Sequence, residues 1–309
     1  MEKHVPVLLE ECLAALDIRP DGIYVDGTLG RAGHAQEIAK KLRSGKLIGI
    51  DRDETAIREA GERLSPFEDR VILVHGNFRD LGQILKELGT SQVNGMLFDL
   101  GASSPQLDER ARGFSYAESA PLDMRMDRRE ALTAWDVVNT WSEEKLRRIL
   151  YEYGEERYAP RIARGIVKAR EESEIETTEE LREIIRRSMP GAALREKQHP
   201  AKRSFQAIRI AVNDELGAIR EMLETATAYL APGGRLVVIS FHSLEDRLVK
   251  TAIARGEKGC ICPRDFPVCA CGFTPTLKAV QRKAIGPSEE EIKRNPRARS
   301  AKLRVAERV

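Results

Sequence analysis

Nowhere in the 309 residues do about 18 apolar residues run together, the length a membrane-spanning helix needs. The opening Met1-Glu2-Lys3-His4-Val5-Pro6 also lacks the basic and apolar regions of a secretory signal. Both absences point to a cytoplasmic protein with no membrane partner. A surplus of charge is missing too, since Lys and Arg number 51 against 49 Asp and Glu, a formal net charge of +2. Any attraction to nucleic acid must then come from local patches and not from a global field. Dispersed cysteine pairs are absent: of five cysteines, four fall between Cys260 and Cys271. In a reducing compartment that pattern excludes a disulfide framework and leaves free thiols or a metal. There is no internal repeat and no low-complexity segment; only 286–300 is polar and charged enough to read as a surface loop.

What is present is a hydrophobic fraction of 41%, enough for a substantial core. Short apolar runs at 23–28, 47–51, 71–75 and 93–100 alternate with helical stretches at 32–43, 54–64 and 81–88. Alternation of this kind predicts βαβ units in a parallel sheet, an α/β fold. From about Asp108 to Asn213 the pattern changes to Arg- and Glu-rich segments of helical period, at 142–153, 159–172 and 178–188. A helix at 214–230, a turn at Pro232-Gly233 and a strand at 234–240 then resume the sheet. The expected layout is a discontinuous sheet domain, 1–107 with 214–309, interrupted by an all-helical domain at 108–213.

The strongest local signal is Tyr24-Val-Asp-Gly-Thr-Leu-Gly-Arg-Ala-Gly-His34, a strand leading into a small-residue turn and then a helix. Gly27, Gly30 and Gly33 let backbone amides approach a ligand without a Cβ in the way. Ile48-Gly-Ile-Asp51 then ends the second strand with an acid suited to a ribose diol. A dinucleotide enzyme would show G-x-G-x-x-G, whereas Asp26 here precedes glycines at another spacing. An acid in that place repels a pyrophosphate but holds the ammonium of a methionine moiety, which favours S-adenosylmethionine over NAD. Alternatively, the glycines merely close a tight turn. Phe78, after the third strand, either covers an adenine or belongs to the core.

At the end of the fourth strand stands Asp99-Leu-Gly-Ala-Ser-Ser-Pro-Gln-Leu-Asp108. Its Ser103-Ser104-Pro105-Gln106 resembles the Ser/Asn/Asp-Pro-Pro-Tyr/Phe motif of enzymes that methylate exocyclic amino groups of bases. Such an amine is a poor nucleophile because its lone pair is delocalised into the ring. Acceptors on its N–H groups draw it toward tetrahedral geometry. Ser103 and Ser104 would supply them, Pro105 would stiffen the loop, and Asp99 and Gln106 would anchor cofactor or base. The plain alternative is an ordinary Ser-Ser-Pro turn. Gln106 stands where the motif has its stacking aromatic, so Phe241 or Phe205 would have to stack instead.

Taken together, these segments resemble the bacterial 16S rRNA (cytosine-N4)-methyltransferase family, RsmH or MraW. The match runs from His4-Val-Pro-Val-Leu8 through Asp51-Arg-Asp53, Gly76-Asn-Phe78, Arg112-Gly-Phe-Ser-Tyr116, Leu122-Asp-Met-Arg-Met-Asp127 and Tyr153-Gly-Glu-Glu-Arg-Tyr158. It continues through His199-Pro-Ala-Lys-Arg-Ser-Phe-Gln-Ala-Ile-Arg209, Ser240-Phe-His-Ser-Leu-Glu-Asp-Arg247 and Asn295-Pro-Arg-Ala-Arg-Ser300. The resemblance implies a Rossmann-like S-adenosylmethionine-dependent methyltransferase sheet with an inserted all-helical domain. It implies methylation of N4 of a cytosine in the decoding region of the small ribosomal subunit. Cofactor contacts carry over to Ala32, Gly33, His34, Asp51, Phe78, Asp99 and Gln106, with Ala32 standing where the family usually has glycine.

Arg157, Arg161, Arg164 and Lys168 recur at helical spacing opposite Tyr158, Ile162 and Ile166, giving either a phosphate-contacting stripe or a solvated face. The segment from Arg195 to Arg209 adds Lys197, His199, Lys202, Arg203, Arg209 and Phe205, the preferred RNA surface. Phe241 and His242 either line a pocket for an unstacked cytosine or sit hydrogen-bonded at a sheet edge. Cys260-x-Cys262 and Cys269-x-Cys271 form two chelating pairs, either a four-thiolate zinc site or packed free thiols. Rival readings are a DNA amino methylase and a non-catalytic ribosome-assembly factor.

Overall fold

A computed structural model describes residues 6–196, 199–258, 260, 262–263 and 266–309. The chain forms two units, Met1–Gly101 with Leu216–Val309, and Ala102–Glu215. In the first unit α1 (Leu9–Leu16) precedes β1 (Ile23–Asp26), α2 (Gly33–Lys41), β2 (Lys46–Asp51), α3 (Glu54–Leu64), β3 (Val71–His75), α4 (Leu81–Glu87) and β4 (Val93–Asp99). The second unit holds α5 (Ser104–Asp108), α6 (Ala134–Thr140), α7 (Glu143–Glu152), α8 (Ala159–Glu172), α9 (Thr178–Ser188) and α10 (Lys202–Asn213). The chain then returns through α11 (Glu215–Tyr229), β5 (Leu230–Ser240), α12 (Ser243–Lys258), β6 (Leu277–Ala279), α13 (Glu289–Arg294) and β7 (Lys302–Arg308).

The sheet order is β3-β2-β1-β4-β5-β7-β6. The first five strands are parallel, and β7 runs antiparallel between β5 and β6. This is the Rossmann-like sheet that the sequence predicts. From β1 the chain winds outward to β3, then crosses back to β4 on the other side. That reversal opens a crevice at the carboxyl ends of β1 and β4, where open α/β sheets hold ligands. Leu97, Phe98, Val237 and Ile239 are buried, as strands covered on both faces require.

The edge of the sheet is less visible in the sequence. Strand β7 carries Lys302, Arg304, Glu307 and Arg308 between the buried Leu303, Val305 and Ala306, so only its alternation marks it as a strand. Its charges are paired: Arg304 bonds Asp246 at 2.6 Å and Glu307 meets Arg235 at 2.9 Å. Strand β5 begins at Leu230, four residues before the expected start. Its register jumps from Val93↔Leu230 to Gly95↔Arg235, and Gly233 takes φ +76°, so the Pro232-Gly233 turn lies inside the strand as a bulge. Within 286–300, expected to be loop, lie α13 and a 3-10 turn at Pro296–Ser300.

The helical unit has its own core of Leu146, Ile149, Leu150, Ile162, Ile166, Leu181 and Ile185, the inward positions of α7, α8 and α9. Capping boxes at Thr133 with Asp136 and at Thr177 with Glu180 start α6 and α9. Arg112, 2% exposed, donates to the Arg125 and Met126 carbonyls at 2.9 and 3.1 Å, and Asn213 holds both Met126 N–H and the Met124 carbonyl at 2.7 Å. The unit boundaries fall at 101/102 and 215/216, not at 107/108 and 213/214. Ala102 and Leu107 pack on the helical core, and Glu215 is tied to Arg209 of α10 at 2.8 Å, which draws both flanks into this unit. Among the described residues, no helix is long and apolar enough to cross a membrane.

Candidate active site

The crevice of the first unit is built on the loop from Asp26 to Ala32. Gly27 N–H donates to the Leu97 carbonyl at 2.9 Å and Leu29 N–H to the Ile50 carbonyl at 3.0 Å, stitching the loop to β4 and β2. A Cβ on Gly27 would lie 2.2 Å from the Phe98 ring, so only glycine fits there. Asp26 accepts Thr28 N–H at 3.2 Å, and Thr28 Oγ1 accepts Asp99 N–H at 2.5 Å. Thr28, which the sequence did not single out, thereby couples the loop to the end of β4. Asp51 accepts Gly30 N–H at 2.7 Å and Asp53 N–H at 2.9 Å on its two oxygens. Each oxygen retains a second lone pair for a diol.

The amides of Gly27 and Gly30 are thus taken up by the protein itself, which corrects the expectation that all three loop glycines offer amides to a ligand. Gly33 serves close packing, since a Cβ there would meet Pro6 at 2.4 Å. His34 Nε2 lies 3.0 Å from the Val7 carbonyl and pins the segment before α1. Ala32 has φ +57°, the left-handed region that favours glycine, which accounts physically for a glycine preference at this position. Phe78 is buried and meets Phe98 edge-on with centroids 5.9 Å apart, so it packs in the core at the end of β3.

Carboxylates dominate the electrostatics. Burial lifts Asp26 from its ordinary 3.8 to about 7, opposed by the Thr28 N–H and reinforced by the charge of Asp51. Burial lifts Asp99 from 3.8 to about 8, with the charges of Asp26 and Glu245 adding to the effect. Asp51 is also raised by burial, against the N–H groups of Asp53 and Gly30. Asp99 Oδ1 is buried with no hydrogen-bond partner among the described residues. Glu245, given no role of its own within the Ser240–Arg247 motif, is fully buried at the start of α12 and accepts Phe241 N–H at 2.8 Å and His242 N–H at 3.3 Å. Its place three residues after the cap His242 is the detectable signal. His242 Nε2 is 3.2 Å from Glu245 Oε1, but neither ring nitrogen makes an aligned hydrogen bond among the described residues. Acids gathered at the ends of β1, β2 and β4 around an orphaned oxygen suit a ligand bearing a cation and a diol.

In the helical unit, Ser103 and Gln106 close a capping box on α5. Gln106 N–H donates to Ser103 Oγ at 3.4 Å, and Ser103 N–H to Gln106 Oε1 at 3.0 Å. Gln106 is buried, and Ser104 and Pro105 are the first two residues of the helix. Arg157 precedes α8 instead of lying on it; it pairs with Glu196 and lies over the Tyr158 ring at 4.7 Å. Arg161, Arg164 and Lys168 are exposed on α8 above the buried Ile162 and Ile166. Arg164 stands 3.9 Å from Glu143, whereas Arg161 and Lys168 have no acidic partner among the described residues. Lys202 and Arg203 are exposed at the start of α10, with Arg203 3.4 Å from the Glu155 carbonyl.

Two members of the expected RNA surface are structural. Phe205 is buried edge-on to Tyr116, whose other contact is a stack on His199 with centroids 4.5 Å apart. Arg209 is held by Glu215 through bonds of 2.8 and 3.0 Å. Phe205 therefore does not stack on a base. Lys197 and the His4-Val5 part of the opening motif lie outside the described residues.

The model of the MraW methylase family matches residues 1–309. The chain belongs to the MraW methylase family. It is 55% identical to the ribosomal RNA small subunit methyltransferase H of Paenibacillus sp. (strain JDR-2), covering all of both chains. It is 55% identical to the protein of that name from Brevibacillus brevis, over 99% of this chain and 98% of the relative. With the Clostridioides difficile protein it shares 52% over 99% of each. Like other MraW methylases it is an S-adenosylmethionine-dependent methyltransferase. The crevice fits that cofactor, whose ammonium and sulfonium supply positive charge to the acids and whose ribose supplies the diol.

Asp99→Asn separates electrostatics from packing. A folded-state pKa raised above 3.8 makes the ionised carboxyl destabilising, so stability falls as pH rises from about 4 through about 8. The free variant should melt above the parent at about pH 8.5, with the gap closing toward about pH 5. Its S-adenosylmethionine affinity, measured by calorimetry, should drop about tenfold or more through loss of a charge-assisted bond. Unchanged affinity would remove Asp99 from the cofactor site.

Proposed function

We propose that this chain methylates N4 of a cytosine in the decoding region of 16S RNA in the small ribosomal subunit. The observation that carries the reading is the end-to-end likeness to small-subunit ribosomal RNA methyltransferases, on a chain whose crevice offers an orphaned, buried carboxylate at Asp99. Bound S-adenosylmethionine supplies an electrophilic methyl group on a positively charged sulfur. Asp51 accepts hydrogen bonds from the ribose diol, and Asp99 with Asp26 receives the ammonium. Ala32, Gly33 and His34 shape the wall at the start of α2, and Phe78 bounds the adenine end through its edge.

Ser103 Oγ and the Ser104 carbonyl accept from the cytosine amino group, pulling its lone pair out of conjugation. The capping box supports this role. It fixes the Ser103 rotamer while leaving the hydroxyl a further lone pair, and Pro105 stiffens the turn. Gln106 acts there chiefly as the second half of the box. A cytosine in a stack cannot reach these groups, so the base is presented unstacked.

Arg161, Lys168, Lys202 and Arg203 contact phosphates, and Arg157 and Arg164 join them by exchanging Glu196 and Glu143 for RNA. Small subunits lacking the modification, incubated with labelled S-adenosylmethionine, should acquire label on one cytosine N4, mapped by nuclease digestion and mass spectrometry. Label on duplex DNA instead would favour the DNA amino methylase, and cofactor binding without any transfer would favour the assembly factor. An Arg161→Ala/Lys168→Ala double variant should weaken subunit binding and lower the slope of log K against log salt by about 2. An unaltered slope would exclude α8 from the RNA surface.

A further inference from the structure

The connection from α12 to β6 is fixed at its root. Thr276 N–H donates to the Gly256 carbonyl at 2.9 Å, and Ala279 N–H to Glu257 at 2.9 Å. Gly256 packs flat on Leu277, where a Cβ would come within 2.9 Å. Beyond the root the backbone bonds among the described residues are local, Cys260 N–H to the Lys258 carbonyl at 2.6 Å and Phe266 N–H to the Pro263 carbonyl at 3.1 Å. Phe266 and Val268 are 56% and 74% exposed, so among the described residues apolar burial does not organise this segment.

Sulfur does. Cys260 and Cys269 Sγ are 3.5 Å apart, Cys269 and Cys271 3.5 Å, and Cys271 and Cys260 3.8 Å. With Cys262, all four sulfurs lie within 4.8 Å of one another. These separations are far beyond the roughly 2.05 Å of a disulfide. They match the edge of a tetrahedron whose centre is about 2.3 Å from each corner, about 3.8 Å, the dimension of a zinc tetrathiolate. Thiols are weak hydrogen-bond partners, so four of them converging on a solvent-exposed loop gain little from one another. A shared cation supplies what the missing core does not.

We propose that Cys260, Cys262, Cys269 and Cys271 bind one zinc ion in a closed structural site that folds the α12–β6 connection. Four protein ligands leave no open position for water or substrate, so the site takes no part in methyl transfer and stands independently of the RNA reading. It clips the loop into shape where an apolar core is absent, as zinc does in small modules.

The test uses the full-length chain, purified without a metal-binding tag under reducing, anaerobic conditions. Elemental analysis should find about one zinc per chain, and X-ray absorption about four sulfurs near 2.3 Å. A Cys260→Ser/Cys269→Ser variant should lose the zinc yet keep S-adenosylmethionine binding. Should that variant fail to fold, cobalt added to zinc-stripped parent protein should give the intense visible absorption of a tetrahedral thiolate site. Disulfides among these cysteines in the unreduced protein, iron in place of zinc, or neither zinc nor a cobalt spectrum would each overturn the assignment.

Discussion

Two carboxyl groups, Asp26 and Asp99, are sunk at the ends of neighbouring parallel strands deeply enough to reach about 7 and about 8, and the charge of Asp26 adds to the cost of ionising Asp99. Among the described residues no cation lowers either carboxyl, and Glu245 adds the charge of a third buried acid to Asp99. The surrounding architecture follows from holding them there. The crossing from β3 back to β4 brings the two strand ends side by side, Gly27 lets the loop pass the Phe98 ring, and Thr28 ties loop to strand. A site strained in this way is receptive to a positively charged ligand, and the S-adenosylmethionine of an MraW methylase is one.

The candidate amine-presenting loop of the helical unit is built from neutral groups. Its Ser103–Gln106 capping box makes a short, stiff turn out of residues that carry acceptors. This also gives Gln106 a reason to be where amino methylases carry an aromatic ring: the glutamine side chain closes the box, which a phenyl or phenol ring at the same position has no carbonyl to do. Exposed cations on α8 and α10 sit on the outer faces of helices whose inner faces are Ile162, Ile166 and Ile208. Charged surface and core are thus two sides of the same periodicity.

The central strands were legible because each is an apolar run ending in a polar residue that the sheet places at its functional edge, as with Asp26, Asp51 and Asp99. Strand β7 was hidden by charges that the fold pairs with Asp246 and Arg235, partners far away in sequence. Arg157 looked helical by spacing, but Glu155 at φ +48° breaks the backbone before α8 begins. Phe205 and Arg209 resembled an RNA surface by composition, and only tertiary packing shows them buried against Tyr116 and bound to Glu215. Pressure from Glu245 on Asp99 has no local signature at all, since it is a charge interaction between the start of α12 and the end of β4 across 146 residues of chain, 245 minus 99.

The most direct test of the account is calorimetry of S-adenosylmethionine binding near pH 7 in buffers of different ionisation enthalpy. If the ligand's positive charge ionises Asp99, mostly protonated in the free protein near pH 7, and Asp26, about half protonated there, binding releases about one proton or more per cofactor bound. Binding with no net proton exchange would contradict the claim that these buried acids receive the cofactor.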